Sequence, residues 1–209
     1  VFYVPAEGHG LPRNPFKALV VPRPIGWIST CSPQGVNNLA PYSFFNALAD
    51  EPPLVMFSSN GNHPHGAKDS ADNAIAAGEF VVNLATWDLR HAMNASSEIA
   101  PPEVDEFRLA GLTAAPCRVV AAPRVKEAAA ALECRVVRDV VLPHWRDGRN
   151  VLVIGEVVGV HIDDRVMTDG FVDTAKLKPI ARLGYREYAV VTETFAMDRP
   201  KGGDRAVGA

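Results

Sequence analysis

Asn37 to Asn60 reads NNLAPYSFFNALADEPPLVMFSSN, and the fold turns on this stretch. It opens on two amides, Asn37 and Asn38, and passes through Ala40-Pro41-Tyr42-Ser43-Phe44-Phe45-Asn46. Pro52-Pro53 stops any helix, because neither ring offers a backbone N–H and the first also restricts Glu51. The apolar run Leu54 to Phe57 follows as a short buried strand and discharges into Ser58-Ser59-Asn60. Hydroxyls, amides and aromatic rings around one core strand suit a flat heteroaromatic ligand with a polar edge. On composition alone the same residues read first as a loop of a β-protein leading into its core strand.

Outward from this segment the chain is β-rich. Ile25 to Cys31 alternates apolar and small residues, and Ser32-Pro33-Gln34-Gly35 has the residues of a hairpin turn. Ala67 to Gly78 reads as a short helix ended by Gly78, Glu79 to Ala85 as a strand, and Leu89 to Ser97 as a second helix. Arg118 to Val125 and Ala131 to Leu142 are strand-like, the latter with Leu132, Cys134 and Val136 as inward candidates. Arg146-Asp147-Gly148-Arg149 marks a tight turn before Val151 to Ile162, a strand in which Gly155 and Gly159 signal bends or close approach. Met167 to Lys176 reads as a further short helix. Several short strands with interposed helices predict a mainly β, Greek-key antiparallel barrel. The expected division is an N-terminal arm over 1–17, the barrel over 18–195 and a flexible tail over 196–209.

The bulk properties narrow the function. At 209 residues, 47% hydrophobic and a formal charge of −3, the chain has material for a core and no electrostatic case for nucleic acid. No stretch approaches the roughly eighteen apolar residues that a membrane helix needs, and no secretory signal precedes the first strand. Cys31, Cys117 and Cys134 form an odd, widely spaced set without a CxxC and read as reduced packing residues of a cytoplasmic protein. His63 and His65 form an HxH pair with no third ligand at a metal-binding spacing, so no metal is expected.

The order of short motifs then becomes specific. Arg23-Pro24-Ile25-Gly26-Trp27-Ile28-Ser29-Thr30, Gly35 to Phe45 and Asp50-Glu51-Pro52-Pro53-Leu54-Val55 resemble the opening of the flavin reductase-like family. Lys68-Asp69-Ser70 with Asn73, Glu79 to Leu84, Asp105-Glu106-Phe107, Ala110 to Thr113, Leu132-Glu133-Cys134, Ile154 to Val157 and Pro179 to Tyr185 continue it in order. The resemblance covers roughly residues 14–192, and a dozen weak motifs in order are strong together. It implies an FMN-binding split β-barrel with a few short flanking helices, in general a homodimer with flavin held non-covalently near the interface. FMN is expected in preference to FAD, with NAD(P)H as a transient co-substrate.

The resemblance also distributes roles. Lys68-Asp69-Ser70 at a helix start would border the FMN phosphate, where N–H groups, the helix dipole and a lysine all favour an anion; Ser70 stands where Thr is commoner and keeps the hydroxyl. Without the resemblance the same stretch reads as a solvated helix start. Ser43, Asn46, Ser58, Ser59 and Asn60 would serve the polar edge of the isoalloxazine and the ribityl chain, their alternative being ordinary turn chemistry. Of Trp27, Phe44 and Phe45, one would flank the ring. Arg23 and Arg182 would neutralise the phosphate or the reduced flavin, with structural ion pairs as the alternative. No side chain is expected as a catalytic acid or base. The expected activity is hydride transfer from NAD(P)H to flavin; its rivals are a flavoredoxin-like electron carrier and a flavin-binding module without turnover.

Overall fold

A computed structural model describes residues 1–61, 69–145 and 147–198, with Asp69 described by its backbone alone. In chain order the elements are α1 (Phe16–Leu19), β1 (Arg23–Pro24), β2 (Gly26–Cys31), β3 (Asn37–Tyr42), β4 (Phe45–Asp50), β5 (Pro53–Ser59), α2 (Asp69–Ala77) and β6 (Glu79–Leu84). There follow α3 (Arg90–Ala95), α4 (Glu106–Leu109), β7 (Ala114–Ala115), β8 (Arg124–Val125), β9 (Ala130–Leu142) and β10 (Asn150–Ile162). The chain ends with β11 (Met167–Thr168), β12 (Phe171–Val172), α5 (Thr174–Leu177), β13 (Ile180–Arg182) and β14 (Tyr188–Val190).

Seven strands form one antiparallel sheet in the order β3-β2-β6-β9-β10-β5-β4. Its two edge strands, β3 and β4, are consecutive in the chain, and only Ser43 and Phe44 lie between them. Three Cα steps reach at most about 11 Å, so the sheet must curl until its edges meet at that corner. From there the edges diverge, and the result is a split β-barrel. The amide of Ser58 donates to the Phe44 carbonyl at 2.8 Å and ties the corner to β5.

At β2 and β6 both faces of the sheet are covered, so these strands are buried residue after residue rather than at alternate positions. Inside lie Ile28, Tyr42, Phe57, Phe80, Val82, Cys134 and Val153, with Ala71 and Ala74 of α2 packed against them. Phe57 meets Tyr42 and Phe80 at ring-centroid distances of 5.0 and 5.1 Å. On the opposite face Trp27, Leu39, Met93, Phe107, Val125 and Ile180 form a second cluster. Register shifts fall at Ile154/Gly155 and Val157/Gly159, the two glycines that the sequence marks as bends.

Three sequence expectations are corrected here. The segment from Ala40 to Asn60 is three strands and two tight corners, not a loop leading into one strand. Arg118 to Val125 is a strand only at Arg124–Val125. The rest is a loop whose amides are bound by carboxylates in place of a neighbouring strand: Arg118, Val119 and Val120 donate to Glu133, and Ala121 and Ala122 to Glu79. Met167 to Lys176 is a β-hairpin followed by α5. Asp169 and Gly170, with φ of 51° and 83°, supply the two left-handed corners that such a hairpin demands. No helix among the described residues is long and apolar enough to cross a membrane.

Candidate functional site

The corner that closes the barrel also opens a cleft. Ser43 lines a cavity of about 330 Å³ together with Lys17, Arg23, Pro41, Asn94 and Arg182, and Tyr185 and Tyr188 complete its rim. A smaller cavity of about 130 Å³, lined by Asn38, Tyr42, Ser70, Ser96 and Glu106, adjoins it across Pro41 and Ser97. The two together run along β3 from the first turn of α2 to the β1-β13-β14 sheet.

Arg23 is held firmly. It is buried, and its guanidinium donates to the carbonyls of Lys17 at 2.5 Å, Val20 at 2.6 Å and Leu183 at 2.9 Å, while Nε reaches Ser43 Oγ at 3.5 Å. Arg182 donates to the Tyr188 hydroxyl and to the Tyr185 carbonyl and lies 4.5 Å over the Tyr188 ring. Neither arginine has a carboxylate partner among the described residues. Burial, and then the positive field of Arg182, hold the Arg23 guanidinium below its ordinary pKa. Two like charges held in one cleft with a lysine favour an anion between them. The donor set therefore fits a ligand that carries a phosphate and a polar ring edge.

The smaller cavity has a buried polar frame. Ser70 Oγ donates to Asn38 Oδ1 at 2.5 Å, and Asn38 Nδ2 donates to both carboxylate oxygens of Glu106 at 3.2 Å. Glu106 also accepts the Leu39 amide at 3.0 Å. Ser70 therefore sits in the cavity wall with its hydroxyl already directed into the frame.

Of the residues singled out in the sequence, Ser43, Arg23 and Arg182 share one cleft and Ser70 lines the adjoining one. Ser58 and Ser59 are buried at the end of β5, Ser58 donating to the exposed Asn60 at 2.8 Å. Asn46 stands on the exposed edge strand β4 and accepts its neighbour's amide, away from both cavities. Trp27 requires a correction. It is 0% exposed, its indole N–H donates to Ser96 Oγ at 2.8 Å, and it packs in the second cluster, so no ligand ring can stack on it. Phe45 packs on the barrel core against Gly26, where a Cβ would meet its ring at 2.6 Å. Lys68, His63 and His65 lie outside the described residues, as does the side chain of Asp69. Sequence reasoning missed Lys17, Asn94 and Ser97; lone polar residues on an arm and a helix carry no motif, and only folding brings them to the cleft.

Residues 18–178 match the profile of the flavin reductase like domain. The chain belongs to the flavin reductase-like family. A relative from Halalkalibacterium halodurans, described as an uncharacterized protein, is 42% identical over 185 residues, 87% of each chain. Nitrilotriacetate monooxygenase component B from Bacillus cereus superposes with a TM-score of 0.85 at 34% identity, over 94% of this chain and 98% of that one. The 2-nitrobenzoate 2-nitroreductase of Pseudomonas fluorescens superposes at 0.77 and 25% identity, over 91% of each. The split barrel and the family expected from the motif order are thus both correct.

Proposed function

We propose that this flavin reductase-like protein is an oxidoreductase that binds FMN without a covalent link along β3 and reduces it with NAD(P)H. The observation that carries this reading is the convergence of Ser43, Arg23 and Arg182 on one cleft at the barrel's closing corner. The likeness to a monooxygenase component and to a nitroreductase supports redox chemistry. Arg23 and Arg182 would hold the anionic part of the flavin, Ser43 and the backbone of the corner its polar edge, and Lys68-Asp69-Ser70 the phosphate. Bound FMN would supply acceptance of hydride from NAD(P)H and onward delivery of electrons. The protein's own part is to bind and orient, with binding energy spent on alignment of donor and acceptor.

A homodimer belongs to the same reading. Val137 and Val141 on β9 are both more than half exposed, an apolar surface that a second copy would cover. Light scattering should give twice the chain mass at micromolar concentration; a monomer with full flavin occupancy would remove the dimer from this account. A cytoplasmic setting belongs to the same reading, in which Cys31, Cys117 and Cys134 stay reduced.

The test is direct. Purified protein should show a flavin spectrum, and heat should release a yellow ligand of FMN's mass. Anaerobic addition of NADH and of NADPH should bleach it. Bleaching by dithionite or a reduced ferredoxin alone would replace the reductase by an electron carrier. A colourless protein that binds neither FMN nor FAD would sink both.

A further inference from the structure

A second cleft lies at the other end of β10. Val151, paired with Ser59, marks the end of that strand that leads toward the barrel corner, and His161, paired with Ala131, marks the other. The ten residue steps between them span roughly 30 Å at the rise of a β-strand. The far cleft measures about 580 Å³, and its polar lining is Arg118, Arg124, Lys126, Glu133, His161 and Asp163.

Arg118, Arg124 and Lys126 outnumber the carboxylates of Glu133 and Asp163 in its lining. Glu133, 1% exposed, is consumed by three backbone amides and by His161, whose Nε2 lies 2.5 Å from Oε1. Asp163 accepts the Arg165 amide at 2.9 Å and pairs with the Arg165 guanidinium at 3.4 Å. Cys117 stays a neutral thiol, pushed up to about 12 by burial and then by Glu133. Arg118, Arg124 and Lys126 make no ion pair among the described residues, although Lys126 pulls on its neighbour Glu127 through the field. Arg124 Nε is buried with no hydrogen-bond partner, an arrangement that costs free energy. The backbone around these cations is fixed, since the Arg118 amide is bound to Glu133 and the Val125 amide to Asn83 at 2.7 Å.

We propose that this cleft binds a diphosphate group, either as the free anion or as part of a nucleotide. Two guanidiniums and an ammonium suit a compact multivalent anion, and the cavity falls in the size range of small-ligand sites. The sulfur of Cys117 and the ligating atoms of Glu133 and His161 lie within 4.8 Å of one another, which would also admit a metal ion. The donors decide against it: both Glu133 oxygens are already taken, and three cations stand around the position.

The experiment is calorimetric titration of inorganic pyrophosphate into the full chain saturated with FMN, so that the flavin's own phosphate site is filled. One binding event is expected, weakened by salt and at least tenfold by Arg124→Gln. Lys126→Gln, at an exposed position, should weaken it at least threefold with an unchanged melting temperature, which guards against a folding defect in the first variant. ADP that competes with pyrophosphate assigns the site to a nucleotide; ADP that does not compete assigns it to the free anion. No heat at millimolar pyrophosphate, equal binding of citrate, or undiminished binding in the Arg124→Gln, Lys126→Gln double variant overturns the proposal.

Discussion

Ser70 Oγ lies 2.5 Å from Asn38 Oδ1, and through this contact the first turn of α2 is joined to β3 and to Glu106 of α4. One buried carboxylate thus sets the wall of the smaller cavity. It holds the Asn38 side chain, which is 8% exposed, and the amide of the fully buried Leu39.

Glu106→Ala should therefore lower the unfolding free energy by about 2–4 kcal/mol, the cost of leaving buried polar groups unsatisfied. Urea denaturation reads this from the midpoint at constant slope. A loss under roughly 0.5 kcal/mol, the range of an ordinary surface change, would show that water replaces the carboxylate.

The phosphate role inferred for Lys68 separates two ligands. Lys68→Ala should weaken FMN by about 1–3 kcal/mol, the scale of a lost charge-assisted hydrogen bond, and leave riboflavin nearly unaffected. Arg182→Gln should weaken FMN by a similar amount, since its guanidinium faces the cleft. Flavin fluorescence quenching measures these affinities. Equal losses of both ligands in Lys68→Ala would assign that residue to folding.

Acid should release the loop before β8. Burial raises the Glu133 pKa, but the amide of Arg118, the His161 ring and the amides of Val119 and Val120 outweigh it and bring the group to about 2. A depressed carboxylate stabilises the fold fully above its ordinary value near 4.5 and loses that contribution as pH falls toward 2. The contribution is on the order of 3 kcal/mol. Glu133→Gln should flatten this part of the stability profile between pH 5 and 2, measured by chemical denaturation at each pH. An unchanged profile would show that other carboxylates govern acid unfolding.

Gly155 sits at a register shift with the ring of Phe80 directly above it. A Cβ there would lie 2.5 Å from Phe80 Cε1 and 3.2 Å from Cys134 Cβ. Gly155→Ala should cost about 1–3 kcal/mol by overpacking, and Phe80→Leu in the same chain should recover part of it. Additive losses in the double variant would place the strain in the backbone instead.

The sequence by itself determined a mainly β barrel through local signals, and the family with its split form through the resemblance of a dozen motifs in order. Apolar runs, Pro52-Pro53, the Ser32 to Gly35 turn and the strand glycines each have one physical meaning wherever they occur. It also named Ser43, Arg23 and Arg182, though not that they meet, since Arg23 and Arg182 are paired across β1 and β13 only in the folded chain. What the tertiary structure alone decided concerns partners that sequence distance hides. Trp27 has the composition of a ring-stacking residue, yet Ser96 and the second cluster claim it. Arg118 to Val120 has the residues of a strand, yet Glu133 takes the amides a neighbouring strand would have bound. A side-chain carboxylate that substitutes for a β-ladder leaves no periodicity behind, and so it becomes visible only when the chain has folded around it.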